Sequence, residues 1–226
     1  MNQKPREAGV DEAGRGPVLG PIVFGAVALT EEQRRILEKK GVTDSKGVSK
    51  KKRIKLYDII KENSLATATV HYSANKIDIL RKKMTMNEIE VQGFIEVIIK
   101  LATKVDVIYL DAADVNPKRF EEKIQQHFNP KIIAKHKADK KYVVVGAASI
   151  LAKVERDRVI KEIERKIGEE IGSGYPGDEK TRKFLKNYYI KHRSFPDFVR
   201  TSWVTIENIL KEIKEGKKQK KLDEFF

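Results

Sequence analysis

Residues Ile22–Leu29 read IVFGAVAL, eight apolar residues or glycines in succession, entered from a Gly-Pro pair and left at Thr30. A run this short and this continuous reads as a strand covered on both faces. Just before it lie a second strand-like segment, Glu7–Asp11 (EAGVD), and a glycine-rich turn, EAGRGPVLGP. Downstream, Leu65–Ser73 alternates as a half-buried strand does, Val105–Asp111 is β-branched and ends on a carboxylate, and Lys131–His136 makes a fifth. Helix signals fall between them. Thr30 with Gln33 and Thr85 with Glu88 are capping boxes, Ser49 can cap a basic helix from Lys50 to about Glu62, and Pro117 can open another. Val143 to about Ile167 is long and helical. After the break GSGYPGD (Gly172–Asp178), Glu179–Ile190 and Thr201–Ile213 read as two more helices. The pattern predicts an α/β domain over residues 1–172, a helical region over 173–215 and a flexible tail over 216–226.

The chain carries 47 Lys plus Arg against 33 Asp plus Glu over 226 residues, a formal net charge of +14. A field of that sign favours a polyanionic partner, nucleic acid or an anionic membrane, over a merely solvated charged surface. There is no cysteine, which excludes disulfides, zinc-thiolate sites and cysteine nucleophiles and fits a reducing compartment. No apolar run approaches the roughly 18–20 residues of a membrane span. After Met1 the chain reads NQKPREAG, without the apolar stretch of a signal peptide. The expectation is a cytoplasmic protein away from membranes, monomeric by default.

Acids stand where strands end: Asp11 with Glu12, and Asp111. Asp139 lies just ahead of the long helix. Carboxylates at strand ends gather at one edge of a sheet, where α/β folds build ligand sites. Crowded together they repel one another and call for a cation. Oxygen donors without a His or Cys cluster select a hard ion, Mg²⁺ or Mn²⁺. Taken singly, an acid at a strand end is more often a solvated loop residue.

The segment VDEAGRGPVLGP (Val10–Pro21) resembles the opening motif of the ribonuclease HII family. The resemblance continues in order through DSK (Asp44–Lys46), YLDAADV (Tyr109–Val115), HKADKKYVVVGAASILAKVERD (His136–Asp157), GSGYPGD and RTSW (Arg200–Trp203). It implies a ribonuclease H-like fold, a five-stranded mixed sheet flanked by helices, with a small C-terminal helical region. It also implies a metal-dependent endonuclease that cuts RNA strands, or single ribonucleotides, in duplexes with DNA. The products the resemblance implies are 5′-phosphate and 3′-hydroxyl ends. The family's catalytic and metal-binding acids map onto Asp11, Glu12, Asp111 and Asp139, with two ions held between them.

The same resemblance assigns substrate contacts. Gly14, Arg15 and Gly16 would meet the ribonucleotide, their backbone amides turned toward the 2′-hydroxyl. Tyr175 would stack on the deoxyribose at the RNA-to-DNA junction, and Lys46 would contact a phosphate. His136 and Lys137 lie close enough in sequence to shape the surroundings of Asp139. Ala148, Leu151 and Ala152 fall at helical spacing as core residues, and Trp203 is expected to pack. Basic stretches at Ser49–Leu56 and Asp178–Arg193 can follow a duplex backbone, or can be solvated helix faces.

The last eight residues, QKKLDEFF, resemble the peptide by which replication proteins dock on the sliding clamp. Leu222, Phe225 and Phe226 would share one face of a helical turn, with Gln219 as a hydrogen-bonding anchor. Two alternatives remain open at this point. One is another ribonuclease H-like nuclease, a resolvase or an exonuclease; the other is a nucleic-acid-binding protein without catalysis.

Overall fold

The computed structural model describes residues 5–42 and 48–223, with side chains as far as residue 215. The chain divides into two compact units. The first takes residues 1–14, 22–72 and 84–158, and the second takes 15–21, 73–83 and 159–226. The expected boundary near residue 172 therefore falls inside the second unit, which also draws in two short segments from earlier in the chain.

The first unit contains the sheet. Its strands are β1 (Arg6–Ala13), β2 (Ile22–Thr30), β3 (Ala66–Tyr72), β4 (Val107–Asp111) and β5 (Lys131–Lys135), in the spatial order β3-β2-β1-β4-β5. β1 pairs antiparallel with β2 and parallel with β4; β2–β3 is antiparallel and β4–β5 parallel. The mixed five-stranded sheet is the one expected. β2 is buried along its length up to Leu29, as its unbroken apolar run requires.

One face of the sheet is covered by α1 (Glu31–Lys39), α2 (Lys50–Asn63) and the first part of α6 (Val143–Ile167). Val27 and Leu29 of β2 pack there with Leu37, Leu56, Tyr57, Ile60, Val144, Ala148 and Leu151. β1 and α6 approach so closely that a Cβ added at Gly9 would stand 2.4 Å from the Val144 carbonyl carbon, so only glycine fits. The other face carries α4 (Met86–Leu101) and α5 (Pro117–Gln125). Edge-to-face aromatic pairs link Tyr72, Phe24, Phe94 and Phe120 there, with centroids 5.1–5.9 Å apart. Each such buried ring contributes about 2–3 kcal/mol through burial. Both expected capping boxes form, and Ser49 and Pro117 stand where their helices begin.

The second unit holds α3 (Ala74–Arg81), the rest of α6, α7 (Glu179–His192) and α8 (Val204–Asp223) around its own apolar cluster. The sequence reading missed α3. It is short, and what holds it is tertiary: Asp78 accepts hydrogen bonds from Thr201 N (2.7 Å), Thr201 Oγ1 (2.7 Å), Ser202 N (3.2 Å) and Ser202 Oγ (2.6 Å). The same bonds explain why α8 starts at Val204 instead of Thr201, since those two amides already serve Asp78. At its other end the α8 backbone continues to Asp223, well past the expected end at Ile213 and into the segment expected to be flexible. Among the described residues no helix is long and apolar enough to cross a membrane.

Candidate functional site

β1 and β4 run parallel in register from Glu7↔Val107 to Val10↔Leu110. The next residue of each strand is an acid, Asp11 and Asp111. β5 then leads through His136 and Lys137, the latter in the left-handed region at φ 56°, into a short 3-10 helix, Ala138–Lys140, that carries Asp139. The Ala138 amide donates to Asp111 Oδ1 at 3.0 Å, which fixes this turn to the end of β4. As a result Asp11, Asp111 and Asp139 each offer a carboxylate oxygen within 4.8 Å of the others. Asp11 and Asp139 are buried, 5% and 1% exposed, and Asp111 is half-buried.

Three carboxylates this close, in so little water, oppose their own ionisation. Burial, followed by repulsion from Glu12 and Asp111, holds Asp11 well above the ordinary carboxylate range; a hydrogen bond from Ser149 and the charge of Lys153 act the other way. Its Oδ1 also accepts from the Glu12 amide at 2.7 Å. The donor set is all oxygen and short of positive charge, which fits a hard divalent cation. Glu12, the fourth expected acid, lies outside the three-carboxylate group and reaches it through that amide and its charge.

Ser149 and Lys153 were not singled out in the sequence. They stand four residues apart, hence on one face of α6, as polar interruptions of the otherwise small and apolar AASILAKV. Ala148, Leu151 and Ala152 are core residues as expected. His136 holds the bend after β4, with Nδ1 3.2 Å from the Ala112 carbonyl and Nε2 3.3 Å from that of Val115.

The glycine-rich turn begins at Gly14, whose φ of 93° excludes side chains with a Cβ at little cost. In the second unit Gly16 lies against Tyr175: a Cβ built on Gly16 would meet the ring at 3.4 Å. The Val18 amide donates to the Gly174 carbonyl at 2.7 Å. The GSGYPGD turn is fixed from within. Asp178 caps α7 and accepts from Ser173 N (2.6 Å) and Oγ (2.5 Å), bonds that hold its carboxyl below the ordinary range. Thr181 Oγ1 accepts from Gly174 N at 2.9 Å and donates to the Ile171 carbonyl at 2.8 Å. Tyr175 itself stays half exposed.

Trp203 packs against the second unit's cluster as expected, and its indole N–H also donates to the Gly16 carbonyl at 3.3 Å. Several cations of α7 are committed to internal acids: Lys180 to Glu170 (2.6 Å), and Arg182 and Lys186 both to Glu212 (2.5 Å each). Lys46 and the side chains of Gln219, Leu222, Phe225 and Phe226 lie outside the described residues.

Comparison with known proteins places the chain in a family. The model of the family described as ribonuclease HII matches residues 8–206. A ribonuclease HII from Thermococcus onnurineus is 47% identical over 225 residues, covering 97% of this chain and 98% of the relative. The crystal structure of the ribonuclease H2 from Pyrococcus horikoshii superposes with a TM-score of 0.87 at 40% identity, over 92% of this chain and 99% of that one. A ribonuclease HII from Archaeoglobus fulgidus, solved in complex with PCNA, gives a TM-score of 0.81 at 38% identity, over 87% and 94% of the two chains. The chain belongs to the ribonuclease HII family and is a metal-dependent ribonuclease H.

Proposed function

We propose that this ribonuclease H incises duplexes on the 5′ side of single embedded ribonucleotides as well as cutting the RNA strand of RNA/DNA hybrids. Water is added across the phosphodiester, the bond from phosphorus to the 3′-oxygen breaks, and the ends are a 5′-phosphate and a 3′-hydroxyl. The observation that carries this reading is the meeting of Asp11, Asp111 and Asp139 oxygens within 4.8 Å. These three, with Glu12 beside Asp11, would hold two Mg²⁺ or Mn²⁺ ions. Ions so bound lower the pKa of water and neutralise charge on the leaving oxygen.

The remaining tasks fall to groups of the chain itself. Backbone amides of Gly14, Arg15 and Gly16 suit hydrogen bonding to a 2′-hydroxyl, the group that distinguishes RNA from DNA. Arg15 and Lys46 suit phosphate oxygens. Tyr175, half exposed and backed by Gly16, suits stacking on the sugar at the RNA-to-DNA junction. The tail residues Gln219, Leu222, Phe225 and Phe226 would dock on the replication sliding clamp, a reading supported by the PCNA complex of the Archaeoglobus relative. A cytoplasmic monomer working in ribonucleotide and RNA-primer removal fits these parts.

The test is incubation with a duplex carrying one ribonucleotide, with and without Mg²⁺ or Mn²⁺. A metal-dependent nick 5′ of the ribonucleotide is expected. Uniform degradation of the DNA would overturn the reading.

A further inference from the structure

We propose that Arg200 is a positioning residue that sets which way the Arg15–Gly16 peptide faces, and so aims the Gly16 amide at the substrate. This rests on the reading above, in which the glycine-rich turn meets the 2′-hydroxyl.

Arg200 is the largest wholly buried side chain among the described residues, at 0% exposure. Burying a guanidinium is costly unless its donors are used. Arg200 spends them on backbone carbonyls of the turn: Nε donates to Gly20 O at 2.9 Å and an Nη to Arg15 O at 3.1 Å. The planar group lies over the Trp203 ring, 4.9 Å from its centroid, while the Trp203 indole N–H holds Gly16 O. Backbone bonds complete the clasp. Arg200 N donates to Val18 O at 2.9 Å, Gly20 N to Phe198 O at 2.8 Å, and Leu19 bridges to Val199.

The consequence follows from peptide geometry. In a trans peptide the carbonyl of one residue and the N–H of the next point in opposite directions, and the described residues contain no cis bond. With Arg15 O drawn toward Arg200, the Gly16 N–H is turned the other way. The following peptide has no N–H, because residue 17 is proline, and its carbonyl is the one Trp203 takes. With both carbonyl directions fixed, Gly16 N–H is the donor that this stretch presents, on the glycine against which the Tyr175 ring packs. Lysine cannot reproduce the arrangement: one ammonium lacks the flat fork that reaches two carbonyls and stacks on an indole.

The experiment compares wild type, Arg200→Lys and Trp203→Phe on two duplexes that differ at one sugar, ribose or 2′-deoxy-2′-fluororibose, with Mg²⁺ present. Fluorine removes the donor and is a poor acceptor. Arg200→Lys is expected to lower kcat/KM on the ribose duplex by about tenfold to a hundredfold, as small misplacements of an aligned group do. It should also bring the ribose-to-fluoro ratio toward one. Trp203→Phe, which keeps an aromatic ring but removes the pyrrole half of the indole together with its N–H, should lower the ribose rate by about threefold and narrow the ratio in the same sense. A role confined to stability would lower both duplexes equally and leave the ratio at its wild-type value, and that result overturns the proposal. If Arg200→Lys fails to fold, as its circular dichroism would reveal, Trp203→Phe decides alone. A wild type that treats the two sugars alike would remove the reading of the turn, and the proposal with it; that outcome needs no variant and so cannot be mistaken for failure of Arg200.

Discussion

Asp11 and Asp111 stand one residue beyond Val10↔Leu110, the last pair that joins β1 to β4. Two parallel strands thus release their carboxylates at one level, just where the register between them ends. Asp139 is brought to the same place by the hydrogen bond from Ala138 to Asp111. The arrangement sets charge against folding, and it can be examined from both sides.

Replacing Asp11 by Asn should lower turnover by about a thousandfold or more, as the loss of a central electrostatic element does, while leaving duplex affinity near that of wild type. In EDTA the same variant should melt higher by about 2–4 °C, the shift that about 1 kcal/mol gives a chain of this size, because a buried and repelled carboxylate is gone. Added Mg²⁺ should raise the wild type and narrow the gap. Thermal melts in EDTA and in Mg²⁺ check this, and a variant that melts lower in EDTA would contradict it.

Glu7, earlier on β1, titrates away from the centre. Burial raises its pKa above 4.5, and Arg34, whose Nε lies 3.6 Å away, offsets part of the rise. An acid raised on folding lends stability that is complete below its unfolded value and is lost as pH rises through its folded value. Glu7→Gln should therefore gain stability relative to wild type as pH is raised from about 4.5 toward neutrality. Denaturant melts at several pH values measure the difference; a difference independent of pH would show that the burial of Glu7 has been misread.

Tyr175→Ala should reduce cleavage at a single ribonucleotide by about tenfold, in keeping with the loss of one stacking contact, and should cost less on a long hybrid. Its half-exposed ring predicts a stability change within about 0.5 kcal/mol. Parallel kinetics on the two substrates decide the matter. Equal losses on both would argue against a junction role.

Removing residues 219–226 should abolish binding to the sliding clamp while leaving cleavage of a short free duplex unchanged. Surface plasmon resonance against the immobilised clamp, alongside a cleavage assay, provides the check. Undiminished clamp affinity would place the docking segment elsewhere.

The features legible in the sequence were those that local chemistry decides. The apolar octet gave β2, Thr30–Gln33 and Thr85–Glu88 gave two helix starts, and Pro117 gave a third. The acids of the central cluster were legible because each ends or follows a strand. What escaped depends on partners distant in the chain. α3 forms because Asp78 binds Thr201 and Ser202, more than a hundred residues away, and α8 starts late for the same reason. Ser149 and Lys153 became meaningful only once α6 lay beside β1. Arg200 and Trp203 looked like a motif without a mechanism until their donors were seen on Arg15 and Gly16.

The strand order β3-β2-β1-β4-β5 also ranks the three clustered acids by how long each would keep its place during local opening. Edges of a sheet fray with less free energy than its centre, and native-state amide exchange reports the difference. Asp11 belongs to the middle strand and Asp111 to the next, while Asp139 follows the edge strand β5. Fluctuations of β5 would therefore withdraw Asp139 first and leave the other two together. On warming, the chain would lose the third corner of its cluster before it lost its fold.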